Sequence, residues 1–243
     1  MIELLIVAVL ALAVLAVLAY RRAERRKRTA STCGQAPHPG GTLDPAAWHI
    51  GPRLPGDWGN RSPGMPEHPA PAPDGWQIDL PIGVDLPLGE GPKVGYLTFR
   101  HGPLTGKRRI RMRYRLEMDP DVRVLAVPEI DPASHIPARL TLYFQREGDD
   151  WSGRGEFEAY RWWHTAAIHY LAEGEHEIVA PLGSGWSAVE TSTLASNWPG
   201  FLAAIDETCC VGFVLGGNEI GLGHGARATG KARMTVTHFQ VED

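Results

Sequence analysis

Arg109-Ile110-Arg111-Met112-Arg113-Tyr114-Arg115-Leu116-Glu117 alternates apolar and charged residues without a break. Successive side chains of a β-strand point to opposite faces. Ile110, Met112, Tyr114 and Leu116 therefore share a buried face, and the four arginines share the other. A helix of 3.6 residues per turn would scatter this pattern around its axis. Arg139 to Arg146 alternates in the same way, with Leu140, Leu142 and Phe144 on one side and Thr141, Tyr143 and Gln145 on the other. Working outward, strands are predicted at Val94–Arg100, Val122–Val127, Ala167–Leu171, His176–Ala180, Val211–Leu215 and Ala232–Val241. Turns such as Gly102-Pro103, Glu147-Gly148-Asp149-Asp150 and Glu173-Gly174-Glu175 separate them. Pro199 to Ile205 reads as one short helix, with Asn197 as its cap. Many short strands and almost no helix predict an all-β protein, an antiparallel β-sandwich or jelly roll.

The N-terminus reads differently. Leu4 to Tyr20 is an unbroken apolar run of 17 residues. At ~1.5 Å per residue, this is near the minimum for a hydrocarbon core ~30 Å thick. A core helix would be amphipathic, and this run is apolar all round. A cleaved signal carries its positive charge before the apolar run, whereas Arg21-Arg22-Ala23-Glu24-Arg25-Arg26-Lys27-Arg28 comes after it. The expectation is a single transmembrane helix, retained as an anchor. The basic flank predicts an outside N-terminus and a cytoplasmic C-terminal domain, with an extracytoplasmic domain as the alternative. It also predicts contact with anionic lipid, at about 1 kcal/mol per basic residue.

The formal charge is −4. With the basic flank set aside the rest is clearly acidic, which argues against nucleic-acid binding. Three cysteines, two of them adjacent, form no disulfide framework. That usage suits a reducing compartment. Three regions follow: residues 1–28, the anchor with its flank; 29–75, a Pro/Gly-rich linker or arm; and 76–243, the sandwich domain. The arm is not a plain spacer. It carries Trp48, Ile50, Leu54, Trp58 and Met65, and disordered linkers are poor in aromatics. Residues 46–66 are expected to pack irregularly on the domain, or to dock a partner through Trp48 and Trp58.

The last third has a recognisable pattern. Gly212-Phe213-Val214-Leu215-Gly216-Gly217 ends a strand, and the loop Gly221-Leu222-Gly223-His224-Gly225 follows. The strand Gly230-Lys231-Ala232-Arg233-Met234-Thr235-Val236-Thr237-His238-Phe239-Gln240-Val241 closes it. Upstream, His176-Glu177-Ile178-Val179-Ala180-Pro181-Leu182 leads to Gly185-Trp186-Ser187. Over residues 76–243 this resembles the galactose-binding-like jelly rolls, a group holding many carbohydrate-binding modules. The resemblance implies binding of a sugar, another ligand or a protein partner, because the fold alone fixes no function. Such modules usually work outside the cytoplasm, in tension with the charge flank. Many hold a structural calcium, but Glu242 and Asp243 are too few for a site at the last strand.

Candidate site residues fall in four groups. Tyr160-Arg161-Trp162-Trp163-His164 is the densest aromatic cluster, and sugar C–H faces stack on such rings. Trp162 and Trp163 point to opposite faces, so one is core and the other a candidate for ligand contact with Tyr160. Trp186 and Trp198 are expected to plug the sandwich ends. His224, between glycines, allows close backbone approach to a ligand. Arg109, Arg111, Arg113 and Arg115 could take an anionic ligand or partner. The favoured reading pairs them across strands with acids such as Glu156 and Glu158. His164, His169 and His176, with Glu173, Glu175 and Glu177, match no metal-ligand spacing, so no metal site is assigned. No cofactor and no catalytic set is assigned either, since nucleophile-elbow, phosphate-loop and zinc-protease motifs are missing.

These readings converge on a membrane-anchored, non-enzymatic binding protein with a glycan as its expected ligand. The alternative is a structural subunit of a membrane-bound or virion assembly, docking protein partners through the sandwich and the arm. Ranked last is a carbohydrate-active hydrolase, which needs two acids across one cleft.

Overall fold

A computed structural model of the chain describes residues 41–51, 62–83, 91–127, 136–189, 192–217 and 222–243. The predicted anchor, its basic flank and Trp58 lie outside these residues. Among the described residues, no helix is long and apolar enough to cross a membrane.

The strands form two large antiparallel sheets. The larger has seven strands: β1 (Trp48–Ile50), β4 (Tyr96–Arg100), β12 (Thr208–Gly216), β7 (Arg139–Arg146), β8 (Arg161–His164) and β11 (Trp186–Ala188) in order, with β9 (His169–Tyr170) also on β7. The smaller runs β10 (Gly174–Pro181), β5 (Arg109–Met118), β14 (Ala232–Glu242), β3 (Gly75–Asp79) and β2 (Ala70–Ala72). A two-stranded ribbon pairs β6 (Val124–Ala126) with β13 (Ala226–Ala228). Among the described residues there is one α-helix, α1 (Trp198–Asp206), capped by Asn197, whose side chain accepts from the Gly200 N–H.

β5 behaves as its alternation dictates. Ile110, Met112, Tyr114 and Leu116 are buried between the sheets, and the arginines line the outer face. In β7, Leu140, Leu142 and Phe144 enter the same core. The opposite residues Thr141, Tyr143 and Gln145 are buried as well, because the larger sheet is covered on both faces.

The two sheets meet around Trp48, which is fully buried. Its ring lies 5.6 Å from Phe99 and 5.9 Å from Phe213 of the larger sheet, and 4.8 Å from Trp76 and 4.9 Å from Phe239 of the smaller one. The Thr42 carbonyl accepts from the indoles of both Trp48 and Trp76, at 2.7 and 3.2 Å. Thr42 Oγ1 donates to the Phe239 carbonyl at 2.5 Å. The segment read as an arm is thus partly sandwich: it supplies β1 and β2, and Met65 packs against the core. Trp48 is an inter-sheet core residue, with no surface left for docking a partner.

Candidate functional site

Strand register tiles the outer face of the larger sheet. His49 pairs Thr98, Thr98 pairs Gly212, Gly212 pairs Tyr143, and Tyr143 pairs Trp163. All five point away from the inter-sheet core, because Trp48, Leu97, Phe99, Val211, Phe213, Leu142, Phe144 and Trp162 point into it. A Cβ on Gly212 would come within 2.0 Å of the Leu97 carbonyl oxygen, so the middle of this row carries no side chain. A flanking row runs through Cys210, Gln145 and Arg161, and Tyr96 and Val214 lie on the opposite side.

An aromatic cluster occupies this face: Tyr96, Tyr143, Trp151 and Trp163, with Val214 beneath. Tyr96 meets Tyr143 edge-on at 5.3 Å and Trp151 edge-on at 5.1 Å. Trp151 comes from the loop after β7 and has φ +65°, a left-handed conformation rare for a bulky residue. That conformation costs on the order of 1–3 kcal/mol and persists only where the surroundings enforce it. Here they do. Asp149 Oδ1 accepts from the Trp151 N–H at 2.9 Å, and Arg161 Nη2 donates to the Trp151 carbonyl at 3.1 Å. The Arg161 guanidinium also lies over the Trp151 ring, 4.7 Å from its centroid.

Arg161 and Asp149 form a buried ion pair. Arg161 Nε stands 2.8 Å from Asp149 Oδ2, at an angle that makes this a charge contact and not an aligned hydrogen bond. Gln145 Nε2 donates to the same oxygen at 2.9 Å. Burial pushes the Asp149 carboxyl above its ordinary range, against the pull of Arg161. Burial likewise pushes the Tyr143 phenol well up. Among the described residues, three buried polar groups of the cluster have no hydrogen-bond partner: Tyr143 Oη, Trp151 Nε1 and Trp163 Nε1. Each unsatisfied group costs about 1–3 kcal/mol.

The structure relocates several expected site residues. Trp162 is buried against Phe201 in the core, its indole donating to the Ala159 carbonyl at 2.9 Å. Trp163 points the other way, as alternation requires, but it is also buried, under the Trp151 loop. Neither ring is open to a stacking sugar. Tyr160 is half-buried outside this cluster, with the Arg146 guanidinium 4.6 Å above its ring. His224 is half-buried in the turn before β13. Trp186 is buried and donates to the Pro181 carbonyl, but Trp198 is exposed, stacked on Phe201.

The arginine row is neutralised in place. Glu242 contacts Arg109 and Arg111, Glu177 contacts Arg111 and Arg113, and Asp74 contacts Arg115. The expectation of cross-strand pairing holds, but Glu156 and Glu158 are not the partners. They sit in a 3-10 turn, Gly155–Ala159. The row is thus no open anion site. Beside it, a groove of 510 Å³ holds Asp74, Glu175 and Glu177. Hydrogen bonding to Arg113 holds the Glu177 carboxyl below its usual range. The carboxyl that burial raises, Asp149, lies in the other sheet's ion pair, so this groove does not combine a raised acid with a lowered one.

Cys209 is disulfide-bonded, and the buried Cys210 thiol is pushed up to about 12 by burial. His164, His169 and His176 do not gather as metal ligands. Among the described residues, that arrangement is found at His49, Glu67 and His68.

No family model matches the chain, and no curated protein matches it. Among solved structures it is similar to Xylanase10C from Cellvibrio japonicus, solved as a mutant in complex with xylopentaose. The identity is 15% and the TM-score 0.36, over 81% of this chain and 27% of that one. The chain thus spans about a quarter of that protein's length.

Proposed function

We propose that this chain is a membrane-tethered, non-enzymatic binding protein of jelly-roll type, with a glycan as ligand at the outer face of the larger sheet. The observation that carries the reading is the set of unpartnered donors, Tyr143 Oη, Trp151 Nε1 and Trp163 Nε1, gathered in one aromatic cluster. A sugar offers both things this cluster lacks, hydroxyl acceptors for the donors and C–H faces for the rings. Binding requires the strained Trp151 loop to lift, and ligand hydroxyls would then offset the donors' unmet hydrogen bonds.

The test is a glycan array with wild-type chain, Trp163→Phe and Trp151→Ala. Trp163→Phe keeps an aromatic ring but removes the donor and part of the ring surface, so the reading expects a wild-type signal that weakens in this variant. A blank array, or undiminished binding by both variants, overturns it.

The basic flank favours a cytoplasmic domain, whereas the Cys209 disulfide favours an oxidising compartment. Large domains translocate largely regardless of flanking charge. We therefore place the domain on the extracytoplasmic side. Protease added to intact cells should remove the sandwich, and full protection would return it to the cytoplasm. The assembly reading has one observation of its own. Trp198 and Leu202, one turn apart on α1, are 47% and 42% exposed. Stoichiometric co-purification that depends on both residues would favour it.

A further inference from the structure

We propose that His49, Glu67 and His68 bind a divalent transition-metal ion of the zinc class. β1 turns Trp48 and Ile50 into the core, which forces His49 onto the outer face. The chain then returns alongside β1. The Ile50 N–H donates to the Glu67 carbonyl at 2.9 Å, and His68 Nδ1 lies 2.6 Å from the Trp48 carbonyl oxygen. A carbonyl only accepts, so His68 Nδ1 carries the proton, and Nε2 is the nitrogen left to face a metal in the neutral ring. A carbonyl that accepts from the far ring nitrogen orients a metal-binding imidazole in this way.

The ligand atoms of the three residues lie within 4.8 Å of one another. Zinc–nitrogen and zinc–oxygen bonds of about 2.1 Å put tetrahedral ligands roughly 3.4 Å apart. Side-chain rotation closes that difference, because Glu67 is exposed and both imidazoles are half-buried. The imidazole rings stand 4.8 Å apart and tilted by 50°. Two imidazoles and one carboxylate suit zinc, nickel or copper better than calcium or magnesium. Three protein ligands leave a further position for water or an outside donor. The site clamps edge strand β1 to the segment that returns past it, and it does not depend on glycan binding.

The experiment uses the full chain in detergent, purified without a histidine tag. Zinc titrated by calorimetry should bind with one equivalent per chain and raise the melting temperature, and a chelator should reverse the rise. Cobalt should give the visible bands of a nitrogen/oxygen site. His49→Gln and His68→Gln should each weaken zinc affinity at least about 10-fold, while His176→Gln leaves it unchanged. Circular dichroism of the metal-free variants checks that they fold. Absence of saturable binding at about 100 µM zinc, or wild-type affinity in both variants, overturns the proposal.

Discussion

Replacing Trp48 separates a core residue from a docking residue. The ring is fully buried and touches four aromatic rings, two from each sheet. Truncating such a side chain to alanine costs about 3–5 kcal/mol, transfer and cavity included. The lost hydrogen bond to the Thr42 carbonyl is about 1 kcal/mol of such a change. For a domain of roughly 200 residues, each kcal/mol moves the midpoint by about 2–4 °C. Trp48→Ala should therefore lower the melting temperature by roughly 6–20 °C. Trp48→Phe keeps a ring and loses the hydrogen bond, so it should cost a smaller part of that. Thermal melts followed by far-ultraviolet circular dichroism measure both, since the backbone signal does not depend on the removed indole. A midpoint for Trp48→Ala within about 2 °C of wild type would refute the placement of Trp48 between the sheets. A docking arm predicts that result, with the loss appearing in complex formation instead.

Asp149→Asn should destabilise by about 3–5 kcal/mol in urea titrations, because Arg161 is left buried without its counter-charge. An Asp149→Leu, Arg161→Met double variant should recover much of that loss, and an unrecovered double variant would count against the ion pair as the cause. Burial, the first cause in each case, lowers the pKa of His49, His164 and His169 from 6.5. Around and below pH 6.5 the unfolded chain then binds protons that the folded chain resists, so this stability is full above 6.5 and falls as pH drops toward the lowered values. Melts between pH 7.5 and 5 that rise on acidification would contradict that sign. Cys210, pushed up to about 12, should resist iodoacetamide at pH 8 in the folded chain and react in urea. Mass spectrometry of both samples distinguishes the outcomes.

Strands with a solvent-facing side could be read from the sequence. β5 and β14 announced themselves through apolar residues at every second position, β7 did so although the structure buries its alternate residues as well, and α1 through its Asn197 cap. β1 did not, because three residues in a Pro/Gly-rich setting carry no period. The candidate site was hidden for a related reason. Alternation placed Trp163 opposite Trp162, but only the Trp151 loop, folding back from after β7, covers that face. Asp149 read as a turn residue, and nothing local announces that it faces Arg161. Glu67 and His68 reach His49 only because their backbone is bonded along β1.

Thr42 bears on how the protein meets mechanical load. It joins the Phe239 carbonyl of β14 and the indoles of Trp48 and Trp76. A membrane tether would pull on the sandwich from just before this residue. Tension along the chain would then reach three hydrogen bonds in parallel, anchored in both sheets, before it could peel edge strand β1 from β4. The tether would end in a clamp seated in the core, with both sheets sharing the load before the edge strand does.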